Sequence, residues 1–323
     1  MATYYVSTSG SNAAAGTSEG AAWLTIDKGM NTVAAGDKVW VKADGNYAEL
    51  ATIDTVGTTT APIVFEGYTT TTGDGGRATI TGSSTRANCV ADSIAANTNI
   101  YYVFKNFRFT AATGIGFSTD CNVLVFKNCK FDNNGSHGLS CRLVSGELCE
   151  FSSNGGSGVL GNSGSQGGSL FIGCKFYSNG ATGLSAGSFS SVLFGCIFFS
   201  NATDNLWAFG GTNSVCAVIN CVFDGDSKDS DIGISMQANA WVGAIINSIF
   251  YDCATGISSD VNVGEQLISR NNLVNANTTA YVNAATFTGE VTSAPQFTNE
   301  VGGADYTPAA GSPLINAGFD GGS

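Results

Sequence analysis

The sequence is poor in charge, proline and histidine. Only 12% of its 323 residues are charged, and 4 prolines stand against 43 glycines. Disorder is nevertheless excluded, because Val, Ile, Leu and Phe recur at short intervals along the chain. No run of about 18 apolar residues occurs, so no membrane-spanning helix is predicted. His137 is the only histidine, and the nearby Ser136 and Asp132 do not make a catalytic triad with it.

Positive charge is scarcer than negative charge. The 13 Lys and Arg residues stand against 25 Asp and Glu residues, which gives a net charge of −12. This balance argues against nucleic acid and against a membrane as partners. The chain also opens without the basic and apolar segments of a secretion signal. We therefore expect the protein to fold in the cytoplasm.

The sequence does contain a short phrase that is repeated eight times within residues 100–274. In five consecutive repeats a Cys stands two positions before a Phe, at Cys129, Cys149, Cys174, Cys196 and Cys221. The ends of neighbouring phrases lie 20 to 27 residues apart, with a mean of about 24. Such a period predicts a solenoid, in which each repeat buries its apolar side chains by stacking on its neighbours.

Each repeat holds three short strand-like segments separated by Gly or Asn, which predicts an all-β, three-sided parallel β-helix. A single domain over 1–323 is expected, with an N-terminal cap and first coils in 1–99, regular coils in 100–274 and a closing segment in 275–323. The helical spacing of Trp23, Ile26, Met30 and Val33 predicts a short capping helix within 21–35.

Two columns of inward side chains are expected to run along this solenoid. The Cys position predicts a stack of buried thiols, which suits a reducing compartment. An Asn follows the Phe three residues later in four repeats and predicts a hydrogen-bonded asparagine ladder, built from Asn134, Asn154, Asn179 and Asn201.

Four segments resemble the pectate-lyase-like superfamily of right-handed parallel β-helix proteins. They are Tyr4-Tyr5-Val6-Ser7, Gly36-Asp37-Lys38-Val39-Trp40-Val41, Pro62-Ile63-Val64-Phe65-Glu66-Gly67-Tyr68 and Gly311-Ser312-Pro313-Leu314-Ile315-Asn316-Ala317-Gly318. The resemblance implies a right-handed helix over nearly the whole chain. It implies no single activity, because the superfamily includes lyases, hydrolases, phage tailspikes and non-catalytic adhesins.

The residue between the Cys and the Phe is expected to point outward, and in the early repeats it is charged. This column contains Arg108, Lys130, Glu150 and Lys175. The resemblance implies a basic residue as general base, assisted by Ca²⁺, and Lys130 or Lys175 beside Glu150 is the candidate. An ion-pair ladder on a solvated sheet is the favoured interpretation, because a Glu between two cations keeps each Lys protonated.

The outward columns become apolar in the later repeats and predict an exposed surface. This surface contains Phe194, Ile197, Ile219, Val222, Ile246 and Ile249. Exposed apolar patches usually mark partner surfaces, so self-association into a homotrimer is the favoured prediction. Cover by the segment that follows Val274 is the competing prediction.

Binding sites are predicted at exposed aromatic and acidic residues. Tyr177, Phe199 and Tyr251 follow the inward Phe and offer rings that suit sugars or neighbouring subunits. Asp224, Asp226, Asp229 and Asp231 offer oxygen ligands for a structural Ca²⁺, although a solvated turn is the favoured interpretation. No cofactor is expected to be required.

Two functions follow from these observations. The first is a non-catalytic, self-associating structural or glycan-binding protein on a virion or cell surface, such as a phage appendage or capsid decoration component, with other virion proteins or a surface glycan as partners. The second is a Ca²⁺-dependent polysaccharide lyase or hydrolase that acts on an acidic glycan. The charge of −12 disfavours a polyanionic substrate unless Ca²⁺ bridges it.

Overall fold

The computed structural model consists almost entirely of short parallel strands. It describes residues 1–162, 168–187, 190–209, 215–225, 231–237, 242–259, 266–282, 286–289, 291, 293–295, 297–299 and 305–312. The chain divides into two compact units, Met1–Ser165 and Gln166–Ser323, and the expectation of a single domain stays a prediction. Within the described ranges, no helix is long and apolar enough to cross a membrane.

The N-terminal unit begins with β1 (Thr3–Val6), a 3-10 turn (Glu19–Ala21) and α1 (Ile26–Met30). Its other strands are β2 (Lys38–Lys42), β3 (Asn46–Tyr47), β4 (Ala51–Ile53), β5 (Ile63–Tyr68), β6 (Ala78–Thr81), β7 (Asn88–Asp92), β8 (Asn99–Lys105), β9 (Phe107–Thr110), β10 (Ile115–Ser118), β11 (Asn122–Lys127), β12 (Lys130–Asp132), β13 (Leu139–Cys141), β14 (Leu143–Glu147), β15 (Glu150–Ser152) and β16 (Val159–Gly161).

These strands form three parallel sheets, each of which takes one strand from every coil. The first sheet has the order β1-β2-β5-β8-β11-β14, the second β3-β6-β9-β12-β15, and the third β4-β7-β10-β13-β16. From β2 onward, consecutive strands of the chain thus belong to different sheets, and neighbours within a sheet come from successive coils. The predicted three-sided parallel β-helix is confirmed.

The C-terminal unit repeats this arrangement with β17 (Gly168–Ile172), β18 (Lys175–Tyr177), β19 (Leu184–Gly187), β20 (Ser190–Phe194), β21 (Ile197–Phe199), β22 (Asp204–Phe209), β23 (Val215–Ile219), β24 (Val222–Asp224), β25 (Ile232–Gln237), β26 (Val242–Ile246), β27 (Ile249–Tyr251), β28 (Thr255–Ser259), β29 (Gln266–Arg270), β30 (Leu273–Asn275), β31 (Thr279–Val282) and β32 (Thr286–Thr288). Its first sheet is β17-β20-β23-β26-β29-β32, its second β18-β21-β24-β27-β30, and its third β19-β22-β25-β28-β31. An antiparallel hairpin follows, β33 (Phe297–Asn299) and β34 (Asp305–Pro308).

The core of each unit is a stack of aromatic rings at the predicted inward position. In the N-terminal unit Phe131 stacks on Phe109 at 4.8 Å and on Phe151 at 4.9 Å between ring centroids. In the C-terminal unit Phe198 stacks on Phe176 at 4.5 Å, and Phe223 stacks on Phe250 at 4.9 Å. These distances match the spacing of about 4.8 Å between neighbouring strands, so each coil places its ring directly over the last.

The predicted asparagine ladder is present in both units. Asn134 donates from Nδ2 to Asn154 Oδ1 at 2.9 Å, and Asn154 donates to the main-chain oxygen of Phe131 at 3.0 Å. Asn179 makes the same contact with Asn201 at 2.9 Å. Because these amides are buried, each bond satisfies a polar group that would otherwise destabilise the turn.

The cysteines behave as buried hydrophobic residues. All ten lie within the described ranges, and all are free and buried. Three thiols of the column, those of Cys129, Cys149 and Cys196, donate to main-chain oxygens of the preceding coil, as Cys149 does to Phe126 at 3.4 Å. Burial raises the pKa of the Cys141 thiol to about 12, which keeps this thiol protonated and unreactive at neutral pH.

The capping helix is present but shorter than predicted. Only Ile26–Met30 is helical, because Thr25 caps its first turn by accepting a hydrogen bond from the main-chain N–H of Lys28. Trp23 lies outside the helix, where it forms an extended bridge with Val6. Trp23, Met30 and Val33 are all buried, which confirms the apolar pattern, but Trp23 and Val33 lie outside the helix.

Candidate functional site

Charged side chains form a column on the outer face of the second sheet of the N-terminal unit. The register places Lys130 next to Arg108 on one side and next to Glu150 on the other. All three are partly exposed, whereas the Phe residues that follow them are buried. The predicted outward column of this unit is therefore confirmed.

Asp132 lies beside this column, two residues after Lys130 on the same strand, and the sequence did not predict a role for it. Arg108 donates to it in a bidentate manner, from Nε at 2.8 Å and from Nη2 at 2.7 Å. The Asp132 side chain is only 5% exposed, so the ion pair is partly desolvated and fixed in geometry. The hydrogen bond to Asp132 raises the pKa of Arg108.

Lys130 is held between two carboxylates. Its Nζ lies 3.2 Å from Glu150 Oε2 and 4.0 Å from Asp132 Oδ2. Nearby anions favour the charged ammonium, whereas a general base must be neutral. The arrangement therefore fits the favoured ion-pair ladder better than it fits the general-base role. Lys175 is exposed in the C-terminal unit, where Ile197 occupies the same position one coil later.

A second group of ion pairs lies on the outer face of the first sheet of the N-terminal unit. Glu66 forms salt bridges with two lysines, and its Oε2 lies 3.0 Å from Lys38 Nζ and 3.6 Å from Lys105 Nζ. One coil later Lys127 pairs with Glu147 at 2.5 Å. The Lys38 ammonium also lies 3.5 Å from the centre of the Trp40 ring, a cation–π contact.

The turn between these two sheets carries a chain of polar side chains that lies between the two groups. Arg77 donates from Nη2 to Asn128 Oδ1 at 2.8 Å, and Asn128 donates to Asn106 Oδ1 at the same distance. We call the whole set the charged stripe, and it comprises Lys38, Glu66, Arg77, Lys105, Arg108, Lys127, Lys130, Asp132, Glu147 and Glu150. Six of the chain's 13 cationic residues lie in this stripe, against four of its 25 acidic residues.

The aromatic rings that were predicted to bind sugars are partly covered by other rings. Tyr177 and Phe199 stack at 4.7 Å between centroids and 3° between planes, so each ring covers one face of the other. Tyr251 packs edge-to-face against Phe297 at 6.1 Å and 83°. Because a sugar ring stacks on an open aromatic face, these contacts reduce the area available to it.

Part of the predicted apolar surface is covered by the chain itself. Val222 is only 9% exposed and forms a buried cluster with Phe297 and Tyr306 of the terminal hairpin, against which Ile197 and Ile249 pack. The Tyr306 hydroxyl donates to Asp224 Oδ2 at 2.6 Å and fixes the hairpin there. The expectation that Ile197, Val222 and Ile249 are exposed is wrong, and the competing prediction of cover by the segment after Val274 is confirmed for them.

The remaining apolar residues lie on the first sheet of the C-terminal unit and are not covered in this way. Phe194 is 46% exposed, and Ile219 and Ile246 are half-buried. Their assignment to an oligomer interface stays a prediction.

The predicted calcium ligands divide into two groups. Asp226 and Asp229 lie outside the described residues, as do residues 313–318 of the C-terminal motif. Asp224 is engaged by Tyr306, and the Asp231 side chain is buried. Among the described residues, no three His, Cys, Asp or Glu side chains come together so as to hold a metal ion. Because two of the four ligands lie outside the described residues, the Ca²⁺ site stays a prediction.

Comparison with known proteins bears on the fold. The family model for the right handed beta helix region matches residues 113–293. No curated protein matches the chain.

Several solved structures are similar over most of their length. Pectate lyase Pel9A has a TM-score of 0.74 and 20% identity, over 99% of this chain and 92% of that one. A rhamnogalacturonan lyase has a TM-score of 0.53 and 15% identity, over 91% and 85%. An alginate lyase from Paenibacillus sp. str. FPU-7 has a TM-score of 0.54 and 15% identity, over 83% and 91%. At these identities the likeness shows the fold alone.

Proposed function

Since the chain belongs to the family of right-handed β-helix regions, we propose that it binds an acidic polysaccharide along the charged stripe of its N-terminal unit. The observation that carries this proposal is the local excess of cations, six against four carboxylates, in a chain whose net charge is −12. A uronate polymer carries one carboxylate per sugar, so its charges recur along one direction. The charged side chains of the stripe also recur along one direction, from coil to coil, at a spacing of about 4.8 Å.

The overall negative charge does not prevent such binding. At physiological ionic strength, charges more than about 8 Å apart are largely screened, so nearby groups decide the interaction. The ammonium groups of Lys105 and Lys127 are exposed enough to meet a ligand carboxylate. Binding should therefore weaken as salt is added.

The geometry around Lys130 supports binding without cleavage. Asp132 and Glu150 favour its charged form, in which it can attract a carboxylate but cannot accept a proton. Three of the similar structures are those of lyases, and cleavage is therefore included as an outcome of the test. A place on a virion or cell surface stays a prediction, because no comparison bears on it.

The test compares the wild type with a Lys105→Gln/Lys127→Gln variant on polygalacturonate, alginate and neutral dextran. Titration calorimetry should show binding of the two uronates but not of dextran. The double variant should lose about tenfold in affinity, because it removes two contacts of up to about 1 kcal/mol each. Arg270→Gln is the matched control, since it removes an exposed cation of the C-terminal unit, outside the stripe.

Two results would contradict the proposal. One is equal affinity for dextran and uronates, and the other is an unchanged affinity in the double variant. Release of unsaturated uronate, followed by its ultraviolet absorbance with and without Ca²⁺, would show that the protein is a lyase and would replace binding without cleavage by catalysis.

A further inference from the structure

The outer face of the first sheet of the C-terminal unit is a continuous apolar surface. Strands β17, β20 and β29 contribute its five most exposed side chains, Leu170, Ile172, Val192, Phe194 and Ile268, which are 36% to 46% exposed. The intervening strands contribute the half-buried Ala217, Ile219, Ala244 and Ile246. The register aligns Ile172, Phe194, Ile219 and Ile246 in one row and Leu170, Val192, Ala217, Ala244 and Ile268 in the other.

On the second sheet of the same unit, an apolar outer column is covered by another part of the chain. There Phe297 and Tyr306 of the terminal hairpin cover Val222, and they leave it 9% exposed. The hairpin is held on that sheet by the hydrogen bond from Tyr306 to Asp224. The side chains of the first sheet have the same chemistry but remain four to five times more exposed.

The surface has a polar border, as protein interfaces do. Asn220, Asn247 and Asn271 occupy the left-handed turn positions at one side of the sheet. Arg270 is exposed and ends the row that begins at Ile172. The apolar rows are thus bounded by groups that can remain in water when the surface is covered.

The area of this surface suits an association between two proteins. An aromatic side chain has roughly 150–250 Å² of surface and an aliphatic one less, so one Phe and four aliphatic side chains that are about 40% exposed present at most about 400 Å². A standard interface buries about 800 Å² per partner, and about 65% of its core is apolar. With its half-buried members, the surface supplies the apolar part of such an interface.

We propose that this surface is where two copies of the chain associate. A flat face of parallel strands packs well on another at about 10 Å, with side chains interdigitating between the two sheets. A twofold interface brings the same patch of two copies together, and a patch without charge at its centre can meet its own copy without like-charge repulsion. The proposal goes beyond glycan binding and concerns the other unit of the chain, so either can fail without the other.

The first test is the mass of the intact protein in solution, measured by light scattering. The wild type should have twice the mass of one chain, and Ile172→Glu/Phe194→Glu should have the mass of one. The matched control is Leu50→Glu/Leu148→Glu, which places two carboxylates at exposed leucines of the N-terminal unit and should keep the wild-type mass. A wild-type mass of three or more chains that falls to the mass of one chain in Ile172→Glu/Phe194→Glu also supports association through this face. A wild-type monomer, or a patch variant with unchanged mass, would overturn it.

A second measurement does not depend on the folding of the Glu variant. All native cysteines are buried, so Val192→Cys adds one exposed thiol. A bifunctional maleimide should join two copies through Cys at this position, whereas Leu148→Cys should give only single chains. Reaction of Val192→Cys without joining would show an open face and would contradict association. An unreactive thiol in a protein that has the mass of one chain would show a face covered by its own chain and would contradict association as well.

Discussion

At the scale of single residues, the fold depends on one left-handed turn position per coil. In the described coils this position, between the first and second sheets, holds Asn106, Asn128, Leu148, Gly173, Gly195, Asn220, Asn247 and Asn271, all with positive φ. Asn and Gly tolerate this conformation, whereas a Leu in it is strained by about 1–2 kcal/mol. Leu148 is the exception, with φ of 53°, and its side chain is 61% exposed and gains little from packing.

We therefore expect Leu148→Asn to stabilise the protein by about 1 kcal/mol. The gain comes from relief of backbone strain, and it should appear as a higher midpoint of urea unfolding. The reciprocal change Asn220→Leu should lower the midpoint by a similar amount. An equal or lower midpoint for Leu148→Asn would show that Leu is not strained there.

Asp204 predicts a dependence of stability on pH. Burial raises the pKa of this carboxyl from 3.8 to about 6 in the folded state. Below pH 3.8 both the folded and the unfolded forms are protonated, and above pH 6 the folded state bears the cost of an ionised, half-buried group. Stability should therefore fall as pH rises from about 4 to 6.

The substitution Asp204→Asn should remove this dependence. Because Asp204 is partly open to solvent, we expect a gain of only about 1 kcal/mol at neutral pH and none near pH 3.8. Thermal unfolding of both proteins across this range measures the difference. A gain that is the same at every pH would point to packing and not to ionisation.

At the scale of elements, the sequence repeat predicted most of the fold. It did not predict most of the contacts between side chains on the outer faces of the sheets. The Cys and Phe columns were predicted because strand neighbours in a β-helix repeat at a fixed interval. Asp132 was not predicted because it follows the inward Phe, at the repeat position that Tyr177 and Phe199 hold in later repeats, and the prediction for that position rested on aromatic residues alone. Strand alternation turns Asp132 to the same side as Lys130, so a contact with the neighbouring Arg108 could have been expected.

The terminal hairpin could not be placed from the sequence. Its strands β33 and β34 lie outside the repeat, and they reach Val222 through contacts between residues that are far apart in the chain. No periodic pattern marks Phe297 or Tyr306 as partners of that column. The choice between exposed and covered columns therefore required the structure.

Removal of the Phe297 ring should loosen the hairpin. Phe297 contacts Tyr251 and Tyr306, and a Phe→Ala change at a buried site costs about 3–5 kcal/mol. Phe297→Ala should therefore increase cleavage by protease within the hairpin and increase binding of an apolar dye. Tyr306→Phe removes only the hydrogen bond to Asp224 and should have a smaller effect, about 1.5–3 kcal/mol. Equal effects of the two changes would show that the ring contacts do not hold the hairpin.

At the scale of the whole molecule, the charge of the chain and the charge of the stripe have opposite implications. A net charge of −12 argued against a polyanionic ligand. The structure shows that nearly half of the cationic residues are gathered in the N-terminal unit around two ladders of ion pairs. Composition gives only the net charge. The placement of the charged side chains depends on which outward columns the stacked coils bring into line.

The central claim is that the charged stripe binds an acidic polysaccharide. The most direct measurement is whether bound oligogalacturonate protects the lysines of the stripe from a reagent that acetylates them. Mass spectrometry of the labelled protein reports each lysine separately. We expect protection of Lys105, Lys127 and Lys130, with Lys28 and Lys175 as unprotected references. Equal modification of all five lysines, or protection confined to the references, would contradict binding at the stripe.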